Sequence, residues 1–176
     1  MAPSTKPALV ICLLFPWLLS AQKIEVEKRV APSLVPMLMQ QFLEKEYPGL
    51  RKLKYYEERN ESGRYFEAKF CFERLRYSVK FTPEGELVDT ERQIPYNTLP
   101  EEVARLVEQQ LSAQFQRYKV TKTQEVLKNG RASGYELEIS GKRESELGLF
   151  EGQFDASGTL QSLRTIEQPP NNFIFF

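Results

Sequence analysis

The chain has 176 residues, its 24 lysines and arginines are balanced by 24 aspartates and glutamates, and it contains no histidine. A nucleic-acid-binding surface needs a basic stripe, so this charge balance argues against one. The absence of histidine excludes Ser-His-Asp and Cys-His catalytic systems, as well as zinc sites with histidine ligands.

The first 21 residues have the pattern of a secretory signal peptide. Lys6 supplies a positive charge, an apolar run follows over 8–19, and the small residues Ser20 and Ala21 come after it. The run is shorter than the roughly 20 residues that span a bilayer. We therefore expect cleavage near Gln22 and export to the periplasm or the cell exterior, with a retained anchor as the alternative.

Removal of the signal peptide takes away Cys12 and leaves Cys71 as the remaining cysteine. No intramolecular disulfide can then form, so the exported domain depends on its hydrophobic core, and about 155 residues are enough to build one. We interpret Cys71 as a small residue in a strand rather than a reactive thiol, because no histidine or helix N-terminus is placed to activate it.

The first structural unit is predicted over residues 32–95. Its helix runs from about Ser33 to Glu46, because apolar residues recur there at helical spacing and Pro36 falls in the first turn. Tyr47-Pro48-Gly49 ends this helix. Alternating apolar and polar residues then predict four strands, near 51–59, 64–72, 75–82 and 86–94.

A second unit with the same order of elements is predicted over residues 98–168. Thr98 and Glu101 match a T-x-x-E capping box at the start of its helix, with Pro100 in the first turn. The segment Pro95-Tyr96-Asn97 joins the units and is too short to separate them, so we expect one continuous body. The four strands of this unit are predicted near 118–128, 133–140, 146–155 and 159–167.

The two units share the hairpin motif F-x3-G-x-L. It occurs at 81–87 and again at 154–160, and each copy follows an alternating strand, Phe66–Phe70 or Tyr135–Ile139. A repeat at a spacing of about 70 residues indicates a duplicated unit. The predicted fold class is therefore α+β, with an α-β-β-β-β unit present twice.

The strands of the first unit predict a polar sheet face opposite an apolar one. Phe66, Phe70, Val79 and Phe81 alternate with polar side chains, so the apolar face packs on the helix and the polar face meets water. Because tyrosine and arginine are frequent interface hot spots, we predict a protein-binding surface here. The candidate residues are Tyr56, Tyr65, Glu67, Lys69, Arg76 and Lys80.

The alternative is an ordinary solvated sheet surface, in which Glu67 and Lys80 form a cross-strand charge pair. Glu136 and Glu138 also share a strand face, about 7 Å apart, and a solvated surface is the simpler interpretation of that pair as well. No glycine-rich phosphate loop is present. We therefore expect no enzyme activity, no metal and no cofactor.

Residues 169–176 form an aromatic tail. It begins with Pro169-Pro170, which break any strand, and ends with Phe173-Ile174-Phe175-Phe176. We expect this tail to dock on an apolar groove of the domain itself, with burial in a partner as the alternative.

The prolyl helix starts, the Tyr-Pro-Gly helix end and the duplicated F-x3-G-x-L hairpins behind a signal peptide resemble the β-lactamase-inhibitor-like, PepSY-like proteins of Bacteroidetes-type bacteria. The resemblance covers residues 35–94 and 99–167. It implies two α-β4 units that form one curved antiparallel sheet with both helices on one face. It also implies a concave sheet face that grips a protein, and no catalytic residue.

Together these observations predict a non-enzymatic, exported binding or inhibitor-like module. We expect a monomer without a membrane span after signal removal, which contacts an envelope protein or peptide through its open sheet face and binds no nucleic acid. One alternative is a carrier of a small apolar ligand, held between sheet and helix. Another is an envelope-assembly protein that acts through its aromatic tail.

Overall fold

A computed structural model of the protein describes residues 26–60, 62–128 and 130–166. Within them, nine antiparallel strands pair in sequence order into one open sheet. The strands are β1 (Val26–Val30), β2 (Arg51–Asn60), β3 (Gly63–Phe72), β4 (Leu75–Phe81), β5 (Leu87–Gln93), β6 (Arg117–Lys128), β7 (Arg131–Arg143), β8 (Glu146–Asp155) and β9 (Leu160–Thr165). The helices are α1 (Met37–Glu46) and α2 (Glu101–Gln114). The predicted signal peptide and aromatic tail lie outside the described residues.

The predicted order of elements is confirmed, because α1 precedes β2 to β5 and α2 precedes β6 to β9. Strand β1 was not predicted. It pairs with β2 from Val26 opposite Arg59 to Val30 opposite Tyr55. Its sequence VEKRV has three charged residues in the middle, so its apolar alternation is weak and the pairing with β2 decides its conformation.

Both helices begin later than the sequence pattern indicated. Residues Pro32–Leu34 and Tyr96–Thr98 form 3-10 turns, and the N-cap residues of α1 and α2 are Pro36 and Pro100. A residue that precedes proline is disfavoured in the helical conformation, so neither helix can extend further back. The predicted capping box is wrong, since the Thr98 hydroxyl donates to the Pro95 carbonyl at 2.7 Å instead.

Both helices pack on the same face of the sheet, as predicted. The strand register carries this face across both units: Tyr77 lies opposite Arg92, Arg92 opposite Glu125, Glu125 opposite Tyr135, and Tyr135 opposite Phe154. Tyr77 belongs to the core under α1, and Tyr135 and Phe154 belong to the core under α2. The Arg92–Glu125 ion pair separates the two cores.

Each helix contributes side chains that are almost completely buried. Met39 and Leu43 of α1 are 0% and 1% exposed, and Val107 and Leu111 of α2 are both 0% exposed. Complete burial of such a side chain stabilises the fold by about 1.5–3 kcal/mol. The space between helices and sheet is therefore filled by the protein's own side chains.

The glycine of the repeated hairpin motif contacts the start of its own helix. Gly85 and Gly158 have φ angles of 90° or just above, which favour glycine. A Cβ atom at Gly85 would lie 2.9 Å from the Leu38 Cβ, and one at Gly158 would lie 2.9 Å from the Val103 carbonyl oxygen. The motif therefore sets how closely the last hairpin of each unit approaches the first turn of the helix.

Candidate binding groove

A single groove covers the face of the sheet that points away from the helices. Its volume is about 1490 Å³, and residues from all nine strands line it, from Glu27 on β1 to Arg164 on β9. Because both edges and the middle of the sheet border one cavity, the sheet is concave on this face. The curvature that the resemblance implied is thus present.

The sequence-predicted candidates lie together on this concave face. In the strand register Glu67 lies between Tyr56 and Lys80, and Arg76 lies opposite Cys71. Five of the six candidates line the groove: Tyr56, Glu67, Lys69, Arg76 and Lys80. Tyr65 lies at the margin, with its ring 5.9 Å from the Lys80 ammonium.

Glu67 is less exposed than a solvated sheet surface predicts. Only 8% of Glu67 is accessible, and the Ser78 hydroxyl donates a hydrogen bond to its carboxylate. The Lys69 ammonium bridges Glu67 at 3.0 Å and Glu27 at 2.5 Å, and it lies 5.0 Å from the Tyr56 ring centre. These contacts fix the side chains in the first half of the groove.

The pKa of Glu67 reflects this network. Burial alone would raise the pKa, but attraction to Lys69 and hydrogen bonds with Glu27 and Ser78 outweigh it, so the pKa lies below its usual value. Burial and the hydrogen bond with Glu67 raise the pKa of Glu27. The charged form of Glu67 is therefore the stable one at neutral pH.

Glu67 and Lys80 lie opposite each other, but among the described residues they do not form the cross-strand ion pair that was the alternative interpretation. Lys80 pairs instead with Glu58 at 2.9 Å, and the Asn60 amide also donates to Glu58 at 2.8 Å. Burial would lower the pKa of Lys80, but the hydrogen bond to Glu58 outweighs it and raises the pKa. Lys69 supplies the positive charge beside Glu67 because it reaches both Glu67 and Glu27.

A carboxyl that forms no ion pair within the described part of the chain occupies the middle of the groove. Glu91 lies on β5 opposite Ser78, and the Gln124 amide donates to its Oε2 atom at 2.5 Å. Burial raises its pKa to about 8, and the nearby Glu136 and Asp89 charges add to this shift. Glu91 thus holds its proton over much of the neutral range.

The second unit lines the other half of the groove, and these residues were not among the candidates. Lys122 pairs with Glu138 at 3.0 Å, and Arg164 pairs with Glu151. The signal was available, because Glu136 and Glu138 alternate with buried Tyr135, Leu137 and Ile139 in the same way as Glu67 and Lys69 alternate with Phe66, Ala68 and Phe70. Aligning the two repeats would have identified Glu136 and Glu138 as the counterparts of Glu67 and Lys69.

Within residues 26–60, 62–128 and 130–166, no three His, Cys, Asp or Glu side chains are placed to hold a metal ion. Over the same residues, neither helix is long and apolar enough to cross a membrane. Cys71 is a free cysteine, partly exposed on the groove wall.

No protein-family model matches the chain, and no curated protein matches it either. Solved structures do. A BLIP-like protein from Bacteroides fragilis superposes with a TM-score of 0.55 at 16% identity, covering 78% of this chain and 90% of that chain. A DUF2874 family protein from Bacteroides ovatus gives a TM-score of 0.59 at 16% identity, covering 78% and 92%. A candidate periplasmic protein from Bacteroides eggerthii gives 0.58 at 17% identity, covering 78% and 93%.

The chain therefore shares the fold of BLIP-like and DUF2874 family proteins of Bacteroides over most of its length. At identities of 16–17% this similarity establishes the fold and not an activity. The resemblance inferred from the hairpin and helix motifs is confirmed at that level.

Proposed function

We propose that this protein is an exported, non-enzymatic binding module whose concave sheet face holds a segment of a protein or peptide partner. The observation that carries the proposal is the groove itself, lined by all nine strands and about 1490 Å³ in volume. A cavity of this size and length suits a polypeptide segment better than a small compact ligand, whose sites are about 300–1,000 Å³.

The order of the groove side chains supports the same proposal. Glu67, Lys69, Lys80 and Glu58 are held by ion pairs or hydrogen bonds on the concave face. Side chains that are already fixed lose little freedom when a partner binds, so more of the contact energy remains as affinity. Tyr56 adds a rigid aromatic ring among them, a residue type enriched at interface hot spots.

A small apolar ligand between helix and sheet has less support. Met39, Leu43, Val107 and Leu111 already fill that space, whereas the open groove is on the other face and lined by charged residues. Export agrees with the candidate periplasmic protein that has the same fold. The N-terminus of the protein purified from its host should then lie near Gln22.

Site-specific photo-crosslinking in the host tests the binding proposal. A photoreactive amino acid at position 56 in the groove should crosslink to a defined polypeptide, and the same amino acid at Arg105, which is exposed on α2, should not. Native mass spectrometry of the purified protein gives a second measurement. A bound polypeptide supports the proposal; a retained lipid with no crosslink at position 56 contradicts it.

A further inference from the structure

The charges of the groove do not cancel evenly. Every carboxylate that lines it has an ion pair or accepts a hydrogen bond within the described part of the chain. Half of the lining cations are also paired: Lys69, Lys80, Lys122 and Arg164. Four other cations line the groove and have no carboxylate within 4.0 Å among the described residues; these are Arg29, Lys52, Lys54 and Arg76.

These four residues form one patch in the part of the groove that belongs to the first unit, and we call it the cationic patch. Arg29 on β1 lies opposite Tyr56 on β2, and Lys54 on β2 lies opposite Lys69 on β3. Arg76 on β4 lies opposite Cys71 on β3. All four side chains are exposed to solvent. The patch thus extends across four adjacent strands, or about 14 Å at the usual strand spacing.

The backbone brings Lys52 into this patch. The pairing of β2 with β3 is irregular between Arg51 and Lys54, and Lys52 in this bulge has a φ of 59°. The left-handed backbone conformation is unfavourable for lysine, because its Cβ atom then lies too close to the backbone. Residues in such conformations are frequent at functional sites. A bulge re-aims side chains. Here it lets Lys52 and its neighbour Leu53 both line the groove.

We propose that the cationic patch binds an acidic segment of the partner polypeptide, one with at least two aspartates or glutamates within about five residues. An extended chain advances about 3.3 Å per residue, so five residues cross the patch and alternate side chains point to the same face. The inference rests on the proposed binding function and adds the chemistry and position of the ligand. The partner's carboxylates supply the negative charge that the protein's own groove does not place beside the cationic patch. Tyr56 packs against the segment.

Fluorescence polarisation with labelled peptides provides the test. The probes are three eleven-residue peptides in which serine alternates with glutamate, with glutamine or with lysine. The glutamate peptide should bind, and its affinity should fall as NaCl is raised from 0.05 to 0.5 M, because salt screens exposed charges. The glutamine and lysine peptides should bind at least tenfold more weakly.

A charge-matched pair of variants locates the site. Arg29→Gln/Lys54→Gln/Arg76→Gln should lower the affinity for the glutamate peptide at least tenfold. The control Lys28→Gln/Lys45→Gln/Arg105→Gln removes three exposed cations that do not line the groove and should bind as the parent does. Equal affinity of the two variants, or equal binding of the glutamate and glutamine peptides, overturns the inference.

Two further outcomes separate the inference from the proposed function. If the groove variant still crosslinks its polypeptide from position 56 with the parent's yield, the groove binds a partner but not through an acidic segment, and the inference is overturned alone. If the parent binds phosphatidylglycerol vesicles and none of the peptides, the patch recognises a membrane surface and the inference is again overturned. Loss of crosslinking in the groove variant only, together with peptide selectivity, supports it.

Discussion

The two structural units build the same scaffold but present different charges on it. In both units an aromatic pair joins the two strands that precede the F-x3-G-x-L hairpin. Phe66 of β3 lies opposite Phe81 of β4, and Tyr135 of β7 lies opposite Phe154 of β8. Both also have a register shift just before the hairpin, at Lys80/Phe81 and at Gln153/Phe154. Packing against the helix has therefore preserved one face of the repeat, while the concave face has diverged.

The divergence can be followed position by position. The cross-strand pair Lys69 and Ser78 of the first unit corresponds to Glu138 and Glu151 of the second. Glu91, opposite Ser78, corresponds to Arg164, opposite Glu151. The second unit thus has an ion pair where the first has a carboxyl beside a hydroxyl. Glu91 therefore has no ion pair among the described residues to offset the burial that raises its pKa, and the groove is asymmetric.

The largest expected effect comes from matched core truncations in the two units. Phe70→Ala should lower the free energy of unfolding by about 3–5 kcal/mol and Ile139→Ala by about 2–5 kcal/mol, because both side chains are buried. Each variant should still unfold in one urea transition, since β5 pairs with β6 across the joint. Far-UV circular dichroism and tyrosine fluorescence measure this, as the chain's one tryptophan, Trp17, precedes Gln22.

Two transitions, with only one shifted in each variant, would show that the units unfold independently. Expression of residues 22–96 and 97–176 as separate chains provides the complementary measurement. We expect poorly folded fragments, because each would have an unpaired strand edge at the former β5–β6 joint.

The hairpin glycines should be the next most sensitive positions. Gly158→Ala should destabilise by about 2–4 kcal/mol, since alanine adds left-handed strain and its Cβ would lie 2.9 Å from a backbone oxygen. Gly85→Ala should cost a similar amount, because its Cβ would lie 2.9 Å from the Leu38 Cβ, which is fixed to the helix backbone, and 3.2 Å from the Met39 backbone nitrogen. Gly49→Ala is the control: its φ is also left-handed, but nothing lies within 4 Å, so only the strain of about 1–2 kcal/mol remains.

Thermal unfolding of the three variants ranks them. An equal loss in all three would mean that the close approach of hairpin and helix contributes nothing beyond the backbone strain.

The strands of the first unit show how much of the fold the sequence could predict. The alternation of Phe66, Ala68 and Phe70 with polar residues predicted the strand, its buried face and the orientation of Glu67 and Lys69, because strand side chains alternate strictly. The hairpin motif predicted the duplication. Strand β1 could not be predicted in this way, since its charged residues acquire strand conformation only through pairing with β2.

Partner choice within the groove was also beyond the sequence. Lys80 lies opposite Glu67 but pairs with Glu58, two strands away, because a long flexible side chain selects among several carboxylates by position and burial. The predicted start of α2 was also wrong, for a reason that involves the backbone. A capping box at Thr98 and Glu101 has the right residues, but Pro100 fixes the preceding backbone in an extended conformation and moves the helix start past Thr98.

Removing the central carboxyl should have a smaller and pH-dependent effect. The pKa of Glu91 is raised from its ordinary value of 4.5 to about 8. Its stabilising contribution is therefore complete below pH 4.5 and is lost as the pH rises through 8. Glu91→Gln should stabilise the protein by about 1–2 kcal/mol at pH 8 and leave it unchanged at pH 4. Urea unfolding at the two pH values measures this.

Glu151→Gln in the second unit is the matched control. It should destabilise at pH 8, because Arg164 loses the carboxylate with which it pairs. If Glu91→Gln destabilises to the same extent, Glu91 is ionised in the folded protein and contributes as an ordinary charged residue.

The smallest expected effect distinguishes the two hairpin turns. In the second unit the Asp155 carboxylate accepts hydrogen bonds from the Ser157 hydroxyl at 2.6 Å and from the Ser157 and Thr159 backbone N–H groups at 2.9 and 3.0 Å. The hydrogen bond from Ser157 is the largest cause of the lowered pKa of Asp155. In the first unit the Thr82 hydroxyl accepts from the Glu84 and Glu86 N–H groups, both at 3.3 Å, and does not titrate in this range.

Because the folded pKa of Asp155 is lowered, its stabilising contribution is present above the ordinary aspartate pKa of 3.8 and is lost as the pH falls through the folded value. Asp155→Asn should therefore lower the Tm at pH 6 and converge on the parent at pH 2.5. Thr82→Ala should lower the Tm by a similar amount at both pH values, since no charge is removed. Thermal scans across this range compare the two, and a Tm difference for Asp155→Asn that stays constant with pH would show that its turn is held by geometry alone, as in the first unit.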